Sequence, residues 1–118
     1  MDVAISEDAG PIIKDSVHRE IILLESKIHR GRLLFLSGYV LTFMEYIQMG
    51  KERPKYRFNL SDSKGEVIFR YDNAAHHKEI ITFPHHKHVR TEVKPSKEVG
   101  LADVVAEIEN MILNEFSS

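Results

Sequence analysis

Apolar and polar residues alternate with period two through the middle of the chain and take up a helical period only at its end. In Tyr39 to Tyr46 the side chains of Tyr39, Leu41 and Phe43 fall on one side, and Val40, Thr42, Met44 and Tyr46 on the other, as in a strand. Ser37-Gly38, between Phe35-Leu36 and Tyr39-Val40, has the composition of a two-residue turn, so residues 31–47 are predicted to form a hairpin. Lys55 to Leu60 sets Tyr56 and Phe58 against Arg57 and Asn59, and Val67, Phe69 and Tyr71 alternate with Ile68 and Arg70. Between them Ser61 to Gly65 is rich in turn formers, with a glycine placed for positive φ. Residues 55–72 are therefore a second hairpin, joined to the first by the polar stretch Gly50 to Pro54.

Leu101, Val104, Val105, Ile108, Met111, Ile112 and Phe116 make one stripe of an amphipathic helix. Pro95 and Gly100 precede it, and Asp103 puts an acid in its first turn, where the helix dipole favours one. A helix over 101–115 needs an apolar surface to cover, and two hairpins supply it. The predicted class is α+β: an antiparallel sheet of two consecutive hairpins, with room for a further N-terminal strand, under a C-terminal helix. The first third reads two ways. Ile13, Val17, Ile21, Leu24 and Ile28 fit a helical stripe, while Ile21 to Leu24 also suits a buried strand. The expectation is a short helix or irregular segment over 1–16, starting near Pro11, then strand from about His18.

At 118 residues the chain has room for one core, and 42% apolar with 29% charged residues is an ordinary globular balance. The absence of cysteine excludes disulfide frameworks, thiolate metal sites and cysteine nucleophiles. The longest stretch without charge, Leu33 to Met44, is too short to span a bilayer, and the N-terminus is acidic where a signal peptide is basic. The expected location is the cytoplasm. Net charge is −2, unevenly placed: residues 70–97 carry six Lys/Arg against three acids, and residues 98–118 carry five acids and no Lys or Arg. The basic segment can face a polyanion, and the acidic one cannot.

Five of the seven histidines lie between His76 and His88. Histidine titrates near neutrality, ligates metals, and serves as acid and base within one cycle. If residues 86–88 are extended, His86 and His88 point to the same side. Together with His76, His77 and Asp72 they form a candidate acid–base set for phosphodiester cleavage, one imidazole deprotonating a ribose 2′-hydroxyl and another protonating the leaving oxygen. Asp72 would orient a histidine, and Arg70 and Lys87 would hold phosphate, with Asn73 and His85 as further substrate contacts. The same His76, His77, His86, His88 and Asp72 are a candidate ligand set for a divalent metal ion, although no cofactor is expected for the acid–base reading. Against both stands a surface histidine tract, or buried histidines bonded to backbone carbonyls. No Gly-rich phosphate loop, serine-nucleophile elbow or helical His-Glu-x-x-His is present.

The run Lys55-Tyr56-Arg57-Phe58 … Phe69-Arg70-Tyr71-Asp72-Asn73-Ala74-Ala75-His76-His77 … Thr82-Phe83-Pro84-His85-His86-Lys87-His88 resembles the TumE family of toxin components from prokaryotic toxin–antitoxin pairs. Leu36-Ser37-Gly38-Tyr39-Val40-Leu41 … Glu45-Tyr46 resembles that family's hairpin, and Val93-Lys94-Pro95-Ser96 with the following helix resembles its ending. The resemblance covers residues from about 30 to 113; Ala75 departs from it, standing where proline is expected. It implies a growth-inhibiting protein held in check by a cognate antitoxin, a small DNA-binding protein. Joined to the histidine pattern, it suggests a toxin-like, metal-independent ribonuclease. The alternative is a non-enzymatic module that binds a metal or a partner through the same segment. RNA, the antitoxin and a second copy of the chain are the partners in view.

Overall fold

The structure, a computed structural model, describes residues 13–49, 53–75 and 77–117. Turn chemistry and alternation together lay down the sheet. Gly38 takes φ +91° after β2, where its amide bonds to Phe35 O, and Gly65 takes φ +87° after β4, where Asp62 Oδ1 accepts from the amides of Lys64 and Glu66. The strands are β1 (Ile13–Ile22), β2 (Ser26–Phe35), β3 (Val40–Gln48), β4 (Lys55–Ser61), β5 (Val67–Asp72), β6 (His86–Val89) and β7 (Glu92–Pro95), followed by helix α1 (Leu101–Ser117). All seven strands among the described residues lie in one antiparallel sheet, in chain order. Among the described residues no helix is long and apolar enough to cross a membrane.

Register sorts the side chains onto two faces. Leu33 pairs with Leu41, Leu41 with Leu60 and Leu60 with Phe69; alongside them Phe43 pairs with Phe58, and Phe58 with Tyr71. All are buried, because α1 lays Leu101, Val104, Val105, Ile108 and Ile112 on them. Each such aliphatic side chain contributes roughly 1.5–3 kcal/mol by leaving water. The helix starts where its first amides find partners: Gly100 N donates to Asp103 Oδ2, and Val104 N donates to Gly100 O. Polar contacts fix its angle, with Glu107 accepting from Tyr71 Oη at 2.6 Å and from Lys87 Nζ at 2.8 Å.

The α+β class, the two hairpins and the covering helix match the pattern of the sequence, but the sheet is larger. Residues 13–16 are strand where a short helix or irregular segment was expected, and the strand expected from about His18 is present; β1 pairs along nearly its whole length with β2. The apolar stripe from Ile13 to Ile28 is thus two strands of one hairpin, with Val17 and Ile21 exposed. β6 and β7 add a further hairpin beyond Asp72, turning at Arg90, whose φ is +58°. Residues 1–12 and the side chain of Phe116 lie outside the described residues.

Candidate functional site

β5 and β6 run antiparallel with Arg70 opposite His88 and Asp72 opposite His86. These four alternate with Tyr71 and Lys87, so they share the face of the sheet that α1 leaves open. The 73–85 connection then folds back over the strand ends. Thr82 Oγ1 donates to His85 O and accepts from Ser96 N, which ties that connection to the end of β7. This places the His77 ring 5.4 Å from His86 and 5.7 Å from His88; the His86 and His88 rings are 4.8 Å apart. His77 holds φ +61°, a left-handed conformation that costs a non-glycine residue about 1–2 kcal/mol.

Asp72 is the hub. Its buried carboxylate accepts from Ala74 N at 3.1 Å and Arg70 Nε at 3.1 Å, and lies 2.8 Å from His86 Nε2 and 3.6 Å from His88 Nε2. His86 Nδ1 donates to Pro84 O at 2.9 Å, since a carbonyl can only accept. A neutral His86 would therefore turn its Nε2 lone pair on the Asp72 carboxylate. A second proton or a metal ion between the two makes that contact attractive.

His88 Nε2 is buried without a hydrogen-bond partner. Burial, then the Arg70 guanidinium, hold this imidazole below its ordinary proton affinity; Asp72 opposes them, and His86 and His77 add to them. His88 is thus poised neutral, with its Nε2 turned toward the Asp72 carboxylate. His18 is likewise lowered, by burial and by His29. Both have folded values below the ordinary 6.5, so stability is fully present above that pH. It is lost as pH falls, because the unfolded chain takes up protons that the folded one refuses. The urea midpoint is expected to drop between pH 7 and pH 5, with His88→Gln recovering part of the drop. A midpoint insensitive to both pH and the substitution would contradict this assignment.

The structure brings together His77, His86, His88, Asp72 and Arg70. His76 lies outside the described residues. Lys87 is not in the cluster: it is on the helix face, ion-paired to Glu107 and lying over the rings of Phe69 and Tyr71. His85 stacks on Tyr56 at 5.7 Å and shares a 2.7 Å hydrogen bond with its hydroxyl. Asn73 accepts from Tyr56 N and donates to Pro54 O, fastening β4 to the end of β5. The remaining histidines, His18 and His29, form a separate chain through Glu45 to Arg53.

One residue beside the cluster escaped the sequence reading. Arg57 on β4 is directly opposite Asp72. Its signal was parity: it alternates with the core residues Tyr56 and Phe58 and so must face the open side.

The sequence model of a family described as Toxin TumE matches residues 3–112. The chain belongs to the TumE family. No curated protein and no solved structure gives a match. In this TumE-family chain, Asp72, His86 and His88 present ligand atoms within 4.8 Å of one another, close enough to hold a metal ion.

Proposed function

We propose that this TumE-family chain is a growth-inhibiting toxin that cleaves RNA by metal-independent acid–base catalysis, and that a cognate antitoxin, a small DNA-binding protein, restrains it in the cytoplasm. The observation that carries this reading is His88, a half-buried imidazole with lowered proton affinity beside the buried Asp72 carboxylate. Neutral His88 takes the proton of a ribose 2′-hydroxyl, and the oxygen attacks the adjacent phosphorus. The bond from phosphorus to the 5′-oxygen breaks, and an imidazolium protonates that leaving oxygen. His77 suits this second role best, its side chain being 33% exposed against 1% for His86. The products are a 2′,3′-cyclic phosphate and a free 5′-hydroxyl. Arg70, 36% exposed, holds a non-bridging oxygen, while Asp72 and His86 fix the position of His88.

A second reading is favoured by the convergence of Asp72, His86 and His88: a divalent ion bound there, with or without catalysis. Incubating purified protein with labelled RNA across pH, with and without EDTA, separates the two. Acid–base cleavage survives the chelator and gives a bell-shaped profile with limbs near neutrality, because one imidazole must be neutral and the other protonated. Cleavage abolished by EDTA and restored by zinc, nickel or manganese supports the metal instead, as does a stoichiometric ion in elemental analysis.

A further inference from the structure

Two rows of cross-strand neighbours cross the open face, and each ends at a cluster histidine. The first runs Arg19, Arg30, Met44, Arg57, Asp72, His86, one residue from each of β1 to β6. The second runs Val17, Arg32, Thr42, Asn59, Arg70, His88 through the same strands. Arg19, Arg30, Arg32 and Arg57 are exposed and form no ion pair with any described residue. Arg19 stands directly opposite Arg30, a like-charge pairing that disfavours the sheet. The cations of the helix side are treated differently: Lys87 is neutralised by Glu107, and Arg53 by Glu45 and Glu98. Within the strands, the open face offers its five arginines only Asp15 and the buried Asp72 as counter-charges.

Shallow depressions lie along this track. One is lined by Arg19, Arg30 and Arg32 over Gly31 and Phe43; the next is lined by Arg30, Met44, Arg57 and Asn59. Five strand spacings of ~4.8 Å carry the rows about 24 Å from β1 to the cluster. The two rows stand about 7 Å apart, two residues along each strand. That ribbon is wide enough to grip one phosphate backbone and too narrow for the two backbones of a duplex.

We propose that the open face of the sheet is a binding track for single-stranded RNA, on which Arg19, Arg30, Arg32, Arg57 and Arg70 hold successive phosphates and deliver the chain to the histidine cluster. This rests on RNA as the substrate class, and it adds the surface that binds it. Four guanidiniums without an ion pair among the described residues, an aligned path and a terminus suited to phosphodiester chemistry fit a polynucleotide better than an apolar or cationic partner. Thr42 and Asn59 offer hydrogen bonds to bases between the arginines.

The test is fluorescence anisotropy with a labelled single-stranded RNA of about 12 nucleotides, a length within the usual range of such sites. The protein carries His88→Ala so that the probe stays whole, and salt is titrated. Five phosphate contacts predict a slope of log K against log salt near −3.5, and Arg30→Ala with Arg57→Ala should flatten it by about 1.4. A charge-matched control, Lys64→Ala with Lys97→Ala, should leave the slope unchanged. An equal flattening by the control, an unchanged slope in the arginine variant, or equal affinity for a duplex of the same length would each overturn the track. RNA held through these arginines but never cut by the wild type would sink the acid–base reading and leave the track standing. RNA cut by the wild type with no arginine dependence would do the reverse.

Discussion

Replacing His88 by alanine is expected to lower RNA turnover by about 100-fold or more, the scale of losing a positioned base, and to abolish growth inhibition on expression. Its side chain is 19% exposed and touches the rings of His77 and His86, but its Nε2 makes no hydrogen bond that the fold would lose. A urea melt checks that the variant still folds, and a folded variant that fails to cut is the expected result. Lys87→Ala, one residue away, is the internal comparison. Lys87 lies against Phe69, Tyr71 and Glu107 on the far side of the sheet, so its loss should leave RNA affinity and turnover within a few-fold of wild type. Toxicity that persists without His88 would mean that the protein acts through its surface and not through the cluster. Strong loss on removing Lys87 alone would mean that the substrate reaches the helix face.

The largest stability effect is expected at Gly31. A Cβ there would lie 2.2 Å from Val17 O and 3.0 Å from Phe43 Cζ, and the carbonyl belongs to the backbone of the paired strand. No rotamer change relieves that overlap; β1 must move away from β2. Gly31→Ala should cost about 3 kcal/mol, the upper end of overpacking penalties, and lower the urea midpoint accordingly. Gly100→Ala is the control, since its added carbon meets nothing closer than 3.9 Å; as the residue capping α1 it should cost about 1 kcal/mol at most. Equal midpoints for the two variants would contradict the close approach of β1 and β2.

Both outcomes bear on what the sequence discloses. The hairpins at 31–47 and 55–72 were legible because each buries one face, so burial and period two agree from Leu33 to Tyr71. The N-terminal strand was legible only from about His18; its start was not, because β1 is largely exposed on both faces, and its apolar residues carry no inside–outside alternation. β7 is four residues ending in Pro95, too short and too polar to show a period. In the site, the shared side of His86 and His88 followed from the alternation expected of an extended segment. That same alternation turns Lys87 away, yet its charge suggested a phosphate contact; parity was the better guide. The arginine rows were hidden for another reason. Arg19, Arg30, Arg32 and Arg57 are scattered in the sequence, and only the order of strands makes them neighbours.

The chain-order sheet also sets how the molecule can be assembled. Each strand pairs only with those before and after it, so no pairing requires closure of a loop longer than the 73–85 connection. Loop closure is the slow step for most β-rich domains, and a purely local ladder avoids it, growing hairpin by hairpin in the direction of synthesis. Docking of α1 is different, for it covers residues as distant in sequence as Leu33 and Phe35 and is made last. During translation the open, arginine-bearing side is therefore laid out before the apolar side is sealed. Until residues 101–117 leave the ribosome, Phe58, Leu60 and Phe69 lie bare to any chaperone or neighbouring chain.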